Sequence, residues 1–165
     1  MRIWSYGAEN KNLIRVPTPY YHLVTSVFKR KNSAINIYSA SDLKGYKVAR
    51  VRGVKHTSNI TKDLAKVSDS ASSEAMFKLL RRGNVDLALT NYIDGIEVLN
   101  KLNLENEIVP GKPLAKLKLY HYLHKDHQPL VNKVDNIIKQ LKRNGKLAKI
   151  IKFAEYSVLN SKPVL

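Results

Sequence analysis

The chain has 165 residues, no cysteine and a formal net charge of +16, from 29 Lys and Arg against 13 Asp and Glu. Its 44% hydrophobic content excludes a disordered polar chain, and no apolar run reaches the length of a bilayer span. Without cysteine there is neither a disulfide framework nor a thiolate metal site. The cations are scattered, the densest run being Lys29-Arg30-Lys31, and no aromatic residues interleave with that run as they would to stack single-stranded bases. Nucleic acid is therefore not expected as a partner. The positive field favours an anionic ligand or an anionic surface. Met1 to Gly7 has no apolar core of signal-peptide length. The chain is thus expected either to be cytoplasmic or to have its targeting segment upstream.

In chain order, Val16-Pro17-Thr18-Pro19-Tyr20-Tyr21 comes first. Two prolines one residue apart force extended geometry and predict a rigid lead-in. His22 to Phe28 reads as a strand rich in β-branched and aromatic residues. Lys29 to Ser41 is a polar connection with a short extended piece around Ile35 and Ile37. Val48 to Val51 is a continuously apolar strand, suited to a sheet covered on both faces. A short helix is expected from Thr57 to Leu64 with Thr57 or Ser58 as N-cap, then a brief strand at Val67. Ser72 and Ser73 are candidate caps for a helix with Ala75, Met76, Leu79 and Leu80 on one stripe, ended by Gly83.

Val85 to Leu89 is a buried strand, which places Asp86 inside it. Tyr92, Ile93, Ile96 and Leu99 mark a helix with Asp94 at its start. Ile108 and Val109 make a short strand before Pro110-Gly111, and Leu117 to Leu123 a second extended segment. Leu130, Val131, Val134, Ile137, Ile138 and Leu141 recur with helical spacing. Asn144-Gly145 supplies a left-handed cap, and Leu147, Ile150, Ile151 and Ala154 continue as a shorter helix. Strands alternating with helices predict an α/β fold with a mostly parallel sheet.

Three segments carry a family resemblance. One is Asp42-Leu43-Lys44-Gly45-Tyr46-Lys47-Val48-Ala49-Arg50-Val51-Arg52-Gly53, a turn and strand ending on glycine. The second runs from Leu79-Leu80-Arg81-Arg82-Gly83-Asn84 through Val85-Asp86-Leu87-Ala88-Leu89-Thr90-Asn91. The third is the tail from Leu130 to Tyr156, centred on Arg143-Asn144-Gly145-Lys146-Leu147-Ala148-Lys149-Ile150. In this order and spacing they resemble the polar amino-acid family of bacterial extracellular solute-binding proteins, over about Ile14 to Tyr156.

The resemblance implies a type II periplasmic-binding fold: two α/β lobes joined by two crossovers, with ligand held in the cleft between them. Only Met1 to Leu13 precedes the first crossover, so the chain reads as N-terminally truncated. It would hold one complete, mostly parallel α/β lobe plus the C-terminal part of the other. The expected divisions are 1–23 (first-lobe remnant and first crossover), 24–118 (second lobe) and 119–165 (return crossover and closing helices). An incomplete lobe leaves an apolar face and a bare sheet edge, which invites a homodimer.

The ligand positions implied by the resemblance are Arg52, Gly53, Val54, Lys55, His56 and Thr57 at the first turn, Asn91 and Tyr92 at the second, and Tyr20 on the crossover. This chain departs from the family at several of them. The carboxylate-clamping arginine falls near Asn10, with Arg15 and Arg2 out of register. Serine or threonine is expected directly after Gly53, where Val54 stands. The aspartate that would hold a ligand ammonium is Asn91. What remains, with Arg52, Lys55 and His56 at a turn before a helix, suits an anion.

No catalytic motif is present, so no enzyme activity and no cofactor are expected. His121, His124 and His127 recur every third residue, but in an extended segment i and i+3 face opposite ways, so no metal site is expected. The function implied is the solute-binding component, or a degenerate relative, of a bacterial transport or sensing system. Its partners would be a small polar or anionic solute and a membrane permease or sensor. Its location would be periplasmic, or cytoplasmic if the shortening is native. The alternative is the effector-binding domain of a transcription regulator or another cytoplasmic sensor.

Overall fold

The computed structural model describes residues 2–3 and 10–160; the stretch from Met1 to Gly7 read above lies largely outside them. The elements in order are β1 (Arg2–Ile3), β2 (Leu13–Arg15), β3 (Tyr21–Arg30), β4 (Val48–Val51), α1 (Lys55–Thr61), β5 (Val67–Ser70), α2 (Ser73–Arg81), β6 (Leu87–Asn91), α3 (Tyr92–Leu102), β7 (Ile108–Tyr120), β8 (Tyr122–His124), α4 (Leu130–Arg143) and α5 (Lys146–Leu159). The main sheet has strand order β1-β7-β3-β6-β4-β5, and β2 pairs with β8 in a second, two-stranded sheet. β4 runs parallel to β5 and to β6, whereas β3 joins β6 antiparallel. The alternation of strand and helix thus gives the expected α/β class, with β6, β4 and β5 forming a parallel set at one side of the sheet.

Two compact units divide the chain. One comprises Met1–Leu23 and Lys116–Ser157, and the other Val24–Ala115 and Val158–Leu165. In the second, here the sheet unit, alternate residues of each strand feed opposite faces. Val27, Val48, Leu87 and Leu89 pack on one face with Ile37 and Leu43, and Ile60 of α1 lies against them. Phe28, Ala49 and Ala88 pack on the other with Met76, Phe77 and Leu80 of α2 and Leu99 of α3. Because both faces are covered, every residue of β6 is buried, which is why Leu87-Ala88-Leu89 reads as an apolar run. Phe28 meets Phe77 edge to face with ring centroids 5.2 Å apart. Ser72 caps α2 as expected, its Oγ accepting from the Ala75 amide at 3.2 Å, and Gly83 follows with φ +77.

Four expectations need correction. Isoleucines 35 and 37 lie on irregular chain and not on a strand. There Lys29 Nζ donates to the carbonyls of Ser33 and Ile35, so a side chain takes up backbone acceptors that a strand partner would otherwise use. Asp86 precedes β6, where its carboxylate accepts from the Lys47 amide at 2.8 Å. The two extended pieces around Pro110-Gly111 and Leu117 are one strand of 13 residues. Among the described residues β1 pairs with β7 only at Leu119 and Tyr120, and no described strand flanks the proline-bearing half on that side, a position where proline is tolerated. Finally, α5 is as long as α4, 14 residues each.

In the other unit, here the terminal unit, β2 and β8 pair from Leu13↔His124 to Arg15↔Tyr122. Its polar anchor is the buried Asp135 of α4, which accepts from the Thr18 amide and from Lys139 Nζ, both at 2.7 Å. Burial raises the Asp135 pKa, but Lys139 and Thr18 outweigh it and hold the carboxyl below its usual range. Gly145, φ +71, turns α4 into α5. No residue of α5 is buried, and Ile150, Phe153 and Tyr156 are 57%, 74% and 65% exposed.

The packing around Phe28 gives a direct test. A Cβ added at Gly95 on α3 would overlap the Phe28 ring. Gly95→Ala should cost about 1–3 kcal/mol through overpacking, outweighing the gain in helix propensity of about 1 kcal/mol. Urea denaturation monitored by circular dichroism checks it. An unchanged or raised midpoint would contradict the tight approach of α3 to β3.

Candidate functional site

Strands β3, β6, β4 and β5 are neighbours, and one edge of this array carries buried polar residues. β4, β5 and β6 all end there in parallel. Because β3 runs opposite to β6, its Thr25 and Ser26 stand across from Asn91 and Thr90, while Ser70 pairs with Val51. Thr25 and Ser26 have 0% exposure, Ser70 4%, Thr90 7% and Asn91 8%. Thr25 Oγ1, Ser26 Oγ, Ser70 Oγ and His56 Nε2 are buried with no hydrogen-bond partner. Leaving such a group unpaired costs about 1–3 kcal/mol, so several at one edge call for a functional explanation.

His56 reaches this edge because α1 is tied down by its own hydroxyls. Thr57 Oγ1 donates to the Val54 carbonyl at 3.0 Å and Thr61 Oγ1 to the Thr57 carbonyl at 2.8 Å. Arg50 of β4 donates through Nη1 to Thr61 Oγ1 at 2.6 Å and through Nε to Asp69 of β5 at 2.8 Å. His56 lies one turn before Ile60, on the side of α1 that faces the Val27–Leu89 cluster. By strand alternation Thr25 and Asn91 share that face with Val27 and Leu89. Thr25, Asn91 and His56 thus occupy the same end of the same layer. Burial lowers the His56 pKa, and Asp94, on the first turn of α3, raises it only in part. The imidazole is neutral at pH 7.

The expected ligand residues fall as follows. Arg52 is exposed just past β4, and its amide donates to the Ser70 carbonyl at 2.9 Å. Gly53 turns the chain with φ +80, a conformation suited to glycine. Helix α1 begins at Lys55, with Val54 as its N-cap residue. The expectation that Thr57 or Ser58 caps the helix is therefore corrected. Thr57 is already inside it, because its hydroxyl bonds backward to Val54 and leaves the cap without a side chain. Lys55 and His56 consequently sit on the first turn of α1, not in the loop before it. Asn91 ends β6 and serves as the N-cap of α3, without a side-chain cap bond, and Tyr92 begins that helix, half-buried.

Arg52 to Thr57, Asn91 and Tyr92 are all in the sheet unit. Tyr20 belongs to the terminal unit, where it stacks on His121 with centroids 4.1 Å apart. Thr25, Ser26 and Ser70 were missed. Their signal was a pair of hydroxyl residues within the strand His22 to Phe28 and a serine at the end of a strand facing the Gly53 turn. Among the described residues, no group of three or more His, Cys, Asp or Glu is placed to hold a metal ion. His124 Nδ1 lies 3.0 Å from Asp126, and His121 is taken up by the Tyr20 stack.

No protein-family model matches the chain. It is 30% identical over 153 residues to an uncharacterized protein of Shewanella oneidensis, covering 87% of this chain and 56% of that protein. It is 28% identical over 148 residues to the probable amino-acid-binding protein YxeM of Bacillus subtilis, covering 86% of this chain and 55% of YxeM. The chain thus spans about half the length of the curated relatives it matches. Among solved structures, it superposes on the amino acid ABC transporter substrate-binding protein AbpA of Streptococcus pneumoniae, bound to L-arginine, with TM-score 0.72 and 20% identity, covering 93% of this chain and 65% of that one. A histidine kinase sensor domain with similarity to periplasmic binding proteins gives TM-score 0.70 at 21% identity, covering 91% and 65%. The fold is the type II periplasmic-binding-protein fold, as the sequence resemblance implies. In sequence the chain is similar to a probable amino-acid-binding protein.

His22 and His121, like His56, have pKa values lowered chiefly by burial, and lysines 116, 142 and 118 add to the effect at His22. Such a histidine binds its proton more readily in the unfolded chain. Its contribution to stability is complete above the unfolded pKa of about 6.5 and is lost as pH falls below it toward the folded value. The melting temperature should be flat from neutral to mildly alkaline pH and decline below about 6.5. His56→Gln should flatten that decline. A melting temperature that rises on acidification to pH 5 would contradict the buried, neutral imidazole.

Proposed function

We propose that the chain binds a small polar or anionic solute at the polar edge of the sheet unit, as the binding component of a transport or sensing system. The observation that carries this reading is the cluster of buried, unpartnered polar atoms at the C-terminal ends of parallel strands. In open α/β sheets that edge is where ligands collect. A ligand would supply the missing hydrogen bonds of Thr25 and His56, with Asn91 standing beside Thr25 across the ladder. Exposed Arg52 and Lys55 at the same edge favour negative charge. The likeness to YxeM and AbpA supports transport, with a membrane permease as partner and a periplasmic location. The likeness to a kinase sensor domain favours a second reading, in which the bound state is reported to a signalling partner. No described helix is long and apolar enough to cross a membrane. Binding without chemistry fits the site, which offers no nucleophile–base pair.

Thermal-shift screening of the full chain with small carboxylates and amino acids tests the reading. A true ligand at 100 times its Kd raises stability by about 2.7 kcal/mol. His56→Ala and Asn91→Ala should each weaken binding of that compound about tenfold or more, the loss of a buried hydrogen bond to a charged group. Binding that is indifferent to both substitutions would move the site elsewhere.

We also infer that the terminal unit pairs with a second copy through α5, whose exposed Ile150, Phe153 and Tyr156 leave an apolar face. The net charge of +16 opposes that pairing, and salt screens the repulsion. Light scattering should therefore show a mass above 18.8 kDa that grows as salt is added, and Phe153→Ser should abolish the growth. A monomer at every ionic strength would sink the idea.

A further inference from the structure

The polar edge has an electrostatic character that narrows its ligand, provided that it is the ligand site proposed above. An ammonium removed from water needs a negative partner beside it. Thr25, His56 and Asn91 are 0%, 9% and 8% exposed, and none of them bears a negative charge. Of the nearby carboxylates, Asp69 is engaged by Arg50 at 2.8 Å. Asp94, on the first turn of α3, bears on His56, but it is exposed and water screens it there. The charges that face solvent at the same edge, Arg52 and Lys55, are positive.

The cluster is instead matched to a neutral group that both donates and accepts. A hydroxyl of threonine, the amide of asparagine and a neutral imidazole each have both capacities or can adopt either. A ligand hydroxyl can close hydrogen bonds with all three, whereas an ammonium offers donors alone and a charge that no buried member of the cluster compensates. α3 contributes a further preference. It is 11 residues long, and its N-cap Asn91 makes no side-chain cap bond, so its first amides and its dipole favour a carboxylate close by. The unpartnered His56 Nε2 and Thr25 Oγ1 stand on the Asn91 face beside that helix start. We propose that the site takes small α-hydroxy acids in preference to the α-amino acids of the same carbon skeleton.

The test is isothermal titration calorimetry of the full chain at pH 7.5 with three matched pairs: L-lactate and L-alanine, L-malate and L-aspartate, L-2-hydroxyglutarate and L-glutamate. In the pair that binds best, the hydroxy acid should bind about tenfold or more tighter, since an uncompensated buried charge costs at least that factor. Asn91→Asp should reverse the order by restoring a counter-charge. Thr25→Val, nearly the same shape, should weaken the hydroxy acid at least about fivefold while changing the amino acid little. Circular dichroism confirms that each variant is folded, and the wild-type preference decides the matter even if Asn91→Asp is not. Tighter binding of the amino acid, weakened by His56→Ala, would overturn this preference and leave the binding edge standing. Failure of all six compounds to bind would overturn both.

Discussion

Arg50 fixes the geometry on which the polar edge depends. It sits on β4, between β6 and β5, and its planar guanidinium reaches β5 through Asp69 and α1 through Thr61. Helix α1 has only seven residues and no side-chain cap, far below the length at which a helix is stable by itself. It holds its place through the relay from Arg50 to Thr61 to Thr57 to Val54, and through Ile60 against the apolar cluster. Remove the relay, and His56 has no defined position relative to Asn91. Arginine suits the role because its donors diverge in one plane toward two elements, which a lysine ammonium on a flexible stem does not reproduce.

The same edge shows a division of labour between the two faces of the sheet. On one face, Phe28, Phe77 and Met76 fill the space so closely that Gly95 must be glycine for α3 to approach. That rigid side sets where α3 begins, and therefore where Asn91 and Tyr92 stand. On the other face, the apolar cluster stops short of the edge and gives way to Thr25, Asn91 and His56. A fold that leaves polar atoms unpaired here gives up stability at the strand ends where open α/β sheets collect ligands. Sites commonly depart from the rules of good packing in this manner.

Local chemistry decided how much of this was legible in the sequence. Ser72 and Gly83 bracket α2 because a serine cap and a left-handed glycine act over a few residues. The same holds for Gly145 between α4 and α5. The apolar residues Val48, Ala49 and Val51 of β4 and Leu87 to Leu89 of β6 fall on both faces of their strands, which announced a doubly covered sheet. Helix α1 began two residues early because the Thr57 hydroxyl has two possible uses, forward as a cap or backward onto a carbonyl, and spacing cannot choose between them. β7 ran through two prolines because, among the described residues, β1 pairs with it only at Leu119 and Tyr120, so its proline-bearing half does not need every amide, and which neighbours a strand has is a property of topology. Thr25 was readable in principle: alternation puts it on the face of Val27, and a hydroxyl in that row is out of place. What could not be read was that its neighbour across the ladder would be Asn91, a pairing of residues 66 apart set by strand order.

Charge acts on a different scale from the site. The excess of Lys and Arg is spread over the chain, and α5 alone carries Lys146, Lys149 and Lys152. Such a field raises the local concentration of any anion and speeds its arrival, but it is blind to which anion arrives, and salt suppresses it within about 8–10 Å. Discrimination has to come from groups removed from water, where an unmet hydrogen bond or charge is expensive. In this chain those groups are neutral. On the binding proposed above, two preferences would add without duplicating each other: the surface would gather acids of any kind, and the buried trio of Thr25, His56 and Asn91 would sort them by the group next to the carboxylate. Placing a carboxylate at position 91 would set the two at odds, since the site would then ask for a positive charge that the surrounding field repels.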